Sequence, residues 1–289
     1  MKLINLFARK QQQVTYISLI GKGGFGNVWK CKLTGDMTIY ACKEIKKSNP
    51  LVQNEIAIWQ TLVHPNVLRL VKLIELPTTI QCVMELMDES LYDRHKRMAK
   101  LGSKPRIVSI LNQLLQICDA MIYLHGKRIL HRDIKSNNVL CTENRTVLSD
   151  FGLSRFLIDG KMTAETGSYR WMAPEVIRHE GYDQKCDVYS FSMLMYEMMT
   201  LCLPFNNYSP IETAFAVARG VRPPLPPIPD YMRQMIDDCW QHESSKRPTF
   251  CEIGARLIVI RAKKDSFGSI EMACRGMVNS HDENRPILF

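Results

Sequence analysis

His131-Arg132-Asp133-Ile134-Lys135-Ser136-Asn137-Asn138 runs into the short apolar stretch Val139-Leu140-Cys141, and twelve residues after Asn138 stands Asp150-Phe151-Gly152. Two carboxylates, an amide and a lysine at this spacing suit phosphoryl transfer, a reaction governed by positioning and charge neutralisation. Such chemistry needs a carboxylate at the acceptor hydroxyl and hard oxygen ligands for Mg²⁺. Asp133 can serve the hydroxyl, while Asn138 and Asp150 can hold the metal from two adjacent strands.

Upstream, Gly21-Lys22-Gly23-Gly24-Phe25-Gly26-Asn27-Val28 is a G-x-G-x-x-G-x-V string. Dinucleotide-binding folds use the same glycine spacing, but there a helix opens straight after the glycines. Here the β-prone run Val28 to Leu33 follows, which disfavours a nicotinamide-dependent oxidoreductase. Glycines in a strand-to-strand turn let backbone N–H groups lie flat over a triphosphate. Seventeen residues past Gly26, Lys43 sits on the strand expected over Thr38 to Ile45. The next segment starts with the helix-initiating Ser48-Asn49-Pro50. Its Val52, Ile56, Trp59 and Val63 recur at helical spacing, and Glu55 lies beside that stripe. A Lys43–Glu55 pair would place the ammonium on phosphate oxygens.

Strands are expected over Thr15 to Ile20, Val28 to Leu33, Thr38 to Ile45, Leu70 to Leu76 and Thr79 to Glu85. From about Ser90 the pattern becomes helical, with a long helix through Leu111 to Leu124 and a second over Val188 to Met199. The latter is apolar almost all round and so belongs at the centre of its lobe. Shorter helices are expected over Pro210 to Arg219, Tyr231 to Trp240 and Phe250 to Ala262. The proline-rich Arg222 to Pro229 reads as a rigid connector. The fold class is therefore α+β.

Taken together, the chain resembles a eukaryotic protein kinase of the serine/threonine type, within the tyrosine-kinase-like group. The motifs occur in the family's order: glycine loop, strand Lys43, helix Glu55, His131-Arg132-Asp133, Asp150-Phe151-Gly152, then Ala173-Pro174-Glu175. The resemblance implies a bilobal fold. A small lobe (14–86) would carry a five-stranded antiparallel sheet and one helix, and a mainly helical large lobe would cover 87–263. Residues 1–13 would extend the domain and 264–289 would form a mobile tail. It also implies ATP and Mg²⁺ as cofactors and Ser/Thr hydroxyls of proteins as acceptors.

Residue by residue, the resemblance makes Lys43 the contact to the α/β-phosphates and Asp133 the base at the acceptor. Lys135 would neutralise the γ-phosphate, and Asn138 and Asp150 would bind Mg²⁺. Gly21, Gly23, Gly24, Phe25 and Gly26 would cover the phosphates, while Ile20, Val28, Ala41 and Leu140 would sandwich the adenine. Met84 precedes the inter-lobe segment, whose Glu85 to Met87 would offer backbone hydrogen bonds to the base. Asp187 would accept backbone bonds from the catalytic loop, and Glu175 would pair with Arg247. Trp59, Leu70, His131 and Phe151 would stack. Lys135 and the string Thr166 to Glu175, with Ser168 in it, are similar to Ser/Thr enzymes; dual specificity stays open. Arg132 suggests control by phosphorylation at Thr163 or Thr166. Only eleven residues separate Lys43 from Glu55, a short connection for this family. Were it to hold the helix away, the rival reading, a non-catalytic pseudokinase scaffold, would gain.

Composition narrows the surroundings. Thirty-eight Lys and Arg against 29 Asp and Glu give a net charge of +9, but the signs are interspersed, so a nucleic-acid partner is not expected. No run of apolar residues approaches membrane-spanning length, so no membrane insertion is expected. The ten cysteines lack metal-ligand pairing and read as buried apolar residues of a reducing compartment, cytosol or nucleus. Neither the oligomeric state nor the physiological substrate can be read from the sequence.

Overall fold

The structure, a computed structural model, describes residues 13–23, 26–48, 52–156 and 169–279. Strands β1 (Val14–Gly23), β2 (Gly26–Leu33), β3 (Ile39–Lys46), β4 (Leu70–Glu75) and β5 (Thr79–Glu85) form one antiparallel sheet in the order β1-β2-β3-β5-β4. The expected five strands are all present, with ends shifted by up to three residues. Gly26 opens β2 at φ 142°, where a Cβ would lie 2.0 Å from the Glu44 carbonyl oxygen. Only a residue without a side chain lets β2 start beside β3. The outer sheet face buries the small cluster of Cys31, Leu33, Tyr40, Cys42 and Val83, whereas Ala41, Ile45, Ile80, Cys82 and Met84 join the main core.

Helix α1 (Val52–Gln60) covers that inner face through Val52, Ile56, Ile58 and Trp59, while Glu55 is buried toward the cleft. Val63, expected on the same stripe, is 82% exposed. The helix stops before it, because Thr61 turns back to donate from N–H and hydroxyl to the Ile58 carbonyl. Leu62 takes the buried place instead.

The large lobe opens with β6 (Glu89–Ser90) and α2 (Leu91–Lys100), which Ser90 caps by accepting from the Asp93 N–H. Next come α3 (Ile107–Gly126), β7 (Ile129–Leu130), β8 (Val139–Cys141), β9 (Thr146–Leu148) and β10 (Arg155–Phe156). Helices α4 (Pro174–Ile177), α5 (Lys185–Thr200), α6 (Pro210–Ala218), α7 (Asp230–Cys239) and α8 (Phe250–Asn279) complete the lobe. Helix α5 is buried from Cys186 to Met198, as its all-round apolar sequence requires. Helix α3 is long and apolar enough to cross a membrane, but half of that stretch is buried in the lobe. There the Cys118 thiol meets the Phe250 carbonyl of α8.

The proline segment does connect α6 to α7, with Leu225 and Ile228 packed on the core and Arg222 held by the Trp240 carbonyl. Helix α8 continues to Asn279, well past Ala262 where the apolar pattern fades, since extending a nucleated helix is far easier than starting one. Of the nine cysteines whose side chains the structure describes, all are free and seven are buried, while Cys202 and Cys251 are exposed.

Candidate active site

Lys43 lies mid-strand on β3, opposite Val28 on one side and Cys82 on the other. That register aims its side chain beneath α1, where Nζ donates to Glu55 Oε1 at 2.7 Å and lies 3.6 Å from Asp150 Oδ1. Burial would lower the lysine pKa, but the Asp150 and Glu55 carboxylates outweigh it and lift it above the usual value. The ammonium is therefore fixed as a cation. The eleven-residue connection does not hold α1 away.

Asp133 sits in a loop whose backbone is tied to α5. The Asp187 carboxylate accepts from the N–H of His131 at 3.0 Å and of Arg132 at 2.8 Å, with His125 Nε2 at 2.9 Å. Arg132 takes φ 68°, a left-handed conformation costly for a side-chain-bearing residue and imposed here by those bonds. Asp133 is 8% exposed. Both its oxygens accept from Lys135 Nζ, at 2.9 and 2.7 Å, and Oδ2 also accepts from Asn138 Nδ2 at 2.7 Å.

Because the Asn138 amide nitrogen is spent on Asp133, its carbonyl oxygen is left as the acceptor. Asn138 ends a single 3₁₀ turn (Ser136–Asn138) rather than lying on a strand, and Asp150 follows β9 at φ 64°. Together they supply hard oxygen donors, the type Mg²⁺ prefers. Gly152 lies so close that a Cβ there would come within 3.3 Å of Asp150 Oδ1 and 3.4 Å of Glu55 Oε2.

Phe151 is fully buried, with its ring 6.3 Å from Trp59 and 5.4 Å from His131. This stack joins α1, the loop before Asp133 and the loop after β9, so the charged groups at their ends share one frame. Trp59 is pinned by donating from Nε1 to the Leu68 carbonyl at 2.7 Å, and Leu70 packs against the same core. Residues 14–257 match the family model described as the protein kinase domain.

The chain belongs to the protein kinase family.

It is 34% identical over 247 residues to the serine/threonine-protein kinase STY46 of Arabidopsis thaliana, covering 82% of this chain and 42% of that protein. To the serine/threonine/tyrosine-protein kinase HT1 of the same plant it is 36% identical, covering 71% of this chain and 53% of HT1. The tyrosine-protein kinase transforming protein Fps of Fujinami sarcoma virus is 31% identical over 84% of this chain and 29% of its own length. This kinase chain thus spans about a third to three fifths of the curated relatives it matches first.

In this kinase Ala41, facing Met84 across the sheet, is buried; Val28 and Leu140 are half-buried and Ile20 is exposed. The Glu85 carboxylate is engaged within the protein. It accepts from the Arg69 N–H at 2.8 Å and pairs with Arg145 at 2.5 Å, so only its main chain is left for a nucleotide. Arg145 also donates to the Pro65 carbonyl, so it ties the β8–β9 turn to the loop between α1 and β4 as well as to the inter-lobe segment. Glu175 and Arg247 form the expected buried bidentate pair at 2.6 and 2.8 Å.

Arg132 Nη1 reaches the Leu153 carbonyl at 3.3 Å, and its guanidinium lies 5.7 Å from the Tyr182 ring centroid. Gly24, Phe25, Thr163, Thr166 and Ser168 lie outside the described residues, as do the first twelve residues and the last ten.

Two functional positions escaped the sequence reading. Asn54 donates to the Ser154 carbonyl at 2.8 Å, joining α1 to the segment after Asp150. Glu197, 2% exposed on α5, accepts from Ser136 N–H at 3.4 Å, from the Ser136 hydroxyl and from Trp171 Nε1 at 2.5 Å. Burial pushes its carboxyl up to about 7 despite those three bonds. Its signal was present: Glu197 is the one carboxylate within Val188 to Met199, a stretch that reads as apolar almost all round.

Proposed function

We propose that the chain is an ATP-dependent protein kinase that transfers the γ-phosphoryl group to Ser or Thr hydroxyls of proteins. The observation that supports this most directly is the assembled constellation: Lys43 bridging Glu55 and Asp150, with Asp133 held by Lys135 and Asn138. A non-catalytic scaffold has no need of that charge arrangement.

In this reading Lys43 holds phosphate oxygens and Glu55 keeps it in place. Asp133 orients the acceptor hydroxyl and takes its proton late, because the transition state is loose. Lys135, within reach of Asp133, balances charge growing on the transferred group. Mg²⁺, when bound by Asn138 and Asp150, would supply charge neutralisation of the phosphates. The preference for Ser and Thr follows Lys135 and is in keeping with relatives named as serine/threonine kinases. Buried, unpaired cysteines fit a reducing compartment, cytosol or nucleus.

The test is phosphoryl transfer from ATP with Mg²⁺ to a generic protein acceptor, followed by phosphoamino-acid analysis. Asp133→Asn should lower turnover by about 10²–10⁴-fold, the usual range for a positioned proton acceptor. The variant should still unfold cooperatively although at a lower temperature, since the amide cannot accept from Lys135 and Asn138 on both sides. Full activity in the variant would reject the assignment, and phosphotyrosine as the main product would reject the Ser/Thr preference.

A further inference from the structure

Away from the phosphate-binding residues, α2 and the end of α5 enclose a pocket of about 410 Å³. Its walls include His95, Lys96 and Lys100 from α2 and Glu197, Leu201 and Leu203 from the other side. Helix α2 is rich in cations, but they divide into two groups. Arg94 and Arg97 share the single carboxylate of Glu89, at 2.9 and 2.7 Å, which offsets one of their two charges. Lys96 and Lys100 stand one turn apart at the pocket, exposed, with no ion-pair partner among the described residues.

His95 is only 7% exposed, lines the pocket, and has no hydrogen-bond partner among the described residues. Burial and the neighbouring Arg94 hold its imidazole down to about 4, so it is neutral near pH 7 and offers one N–H and one acceptor nitrogen. Its ring nitrogens are not sealed from solvent, so water reaches them through the pocket and a bound peptide group can take that water's place. Glu197 does not compete for that role, because its oxygens are engaged by Ser136 and Trp171. Ser136 is the residue after Lys135, so the pocket shares a wall with the catalytic loop.

We propose that this pocket docks an acidic, aliphatic peptide segment of the protein substrate. An aliphatic side chain enters between Leu201 and Leu203, flanking carboxylates meet Lys96 and Lys100, and a backbone peptide group satisfies His95. The substrate role rests on the protein-kinase reading above; binding of the segment does not.

The test is fluorescence anisotropy on the full chain with three short labelled peptides: a Glu-Leu repeat, a Lys-Leu repeat and a Glu-Ser repeat. The Glu-Leu peptide should bind about tenfold more tightly than either other probe, since one control removes the charge match and the other the apolar anchor. Lys96→Glu/Lys100→Glu should abolish that advantage, and Lys100→Ser alone should reduce it about threefold. Turnover of an unextended Ser peptide should be unchanged in both variants, because neither lysine touches the catalytic groups, and this also reports on folding. His95→Leu should weaken the Glu-Leu peptide without altering the salt dependence of its binding.

Equal affinity for the three probes, equal affinity of wild type and the double variant, or tighter displacement by polyuridylic acid than by unlabelled peptide would each overturn the proposal. Absence of ATP turnover in the wild type would instead overturn the kinase reading and leave the binding result standing.

Discussion

Asp187 and Glu197 sit at opposite ends of α5, at 0% and 2% exposure, and yet their ionisation is pushed in opposite directions. For Asp187 burial raises the pKa, but His125, the nearby His131 and the backbone N–H of Arg132 outweigh it, and the carboxyl falls below its ordinary 3.8. For Glu197 burial also dominates, and the donors from Ser136 and Trp171 leave it at about 7. Depth is the same in both cases. What differs is the set of partners that favour the charged form: two histidines and backbone N–H groups for Asp187, against a hydroxyl, an indole and one backbone N–H for Glu197. Helix α5 therefore carries one carboxylate held charged and one poised near neutrality.

The largest effect expected from this contrast is that of Asp187→Asn. Its amide cannot accept from His131, Arg132 and His125 together, and it places a donor against a donor. Unfolding in urea at neutral pH should show a loss of about 3–5 kcal/mol, the scale for breaking a buried charged network. Because the folded pKa is depressed, the stability supplied by Asp187 is present above the ordinary carboxylate range and lost as pH falls through the folded value. An unchanged unfolding midpoint would remove Asp187 from its anchoring role.

Glu197→Gln should act through slope. The folded wild type holds a proton that the unfolded chain releases between the ordinary 4.5 and about 7. Wild-type stability therefore falls as pH rises through that window, by about 3 kcal/mol, and the glutamine variant lacks the fall. Parallel stability-versus-pH curves for the two proteins would contradict the raised pKa. Smallest is Ser136→Ala, which removes one neutral donor from Glu197. It should cost about 1 kcal/mol and move the Glu197 titration upward; a downward shift, followed by carboxyl NMR, would show that the hydroxyl was not donating.

The catalytic stretch was legible because chemistry fixes both residue type and spacing. Lys43, Glu55, Asp133, Asn138 and Asp150 are held in the arrangement their order implied, and the five strands follow their β-branched runs. Helix α2 was not legible: only Leu91 and His95 are buried on it, too little for an apolar period to register. Val63 misled for the converse reason, since an apolar residue at helical spacing says nothing about where the helix stops. Glu197 was hidden by its neighbours, because a stretch read as apolar draws attention to packing and away from the one carboxylate within Val188 to Met199. The Glu85 carboxylate could not be placed from sequence either, since its partner Arg145 is sixty residues away.

The free thiols have a practical consequence. Burial pushes Cys42, Cys82 and Cys118 up to about 12, leaving almost no thiolate near neutral pH. Alkylating reagents therefore meet only Cys202 and Cys251 as exposed sulfurs among the described residues. Cys202 borders the α2–α5 pocket. With Cys251 and Cys274 changed to serine, a fluorophore attached at Cys202 would sit at the mouth of that pocket and signal its filling directly.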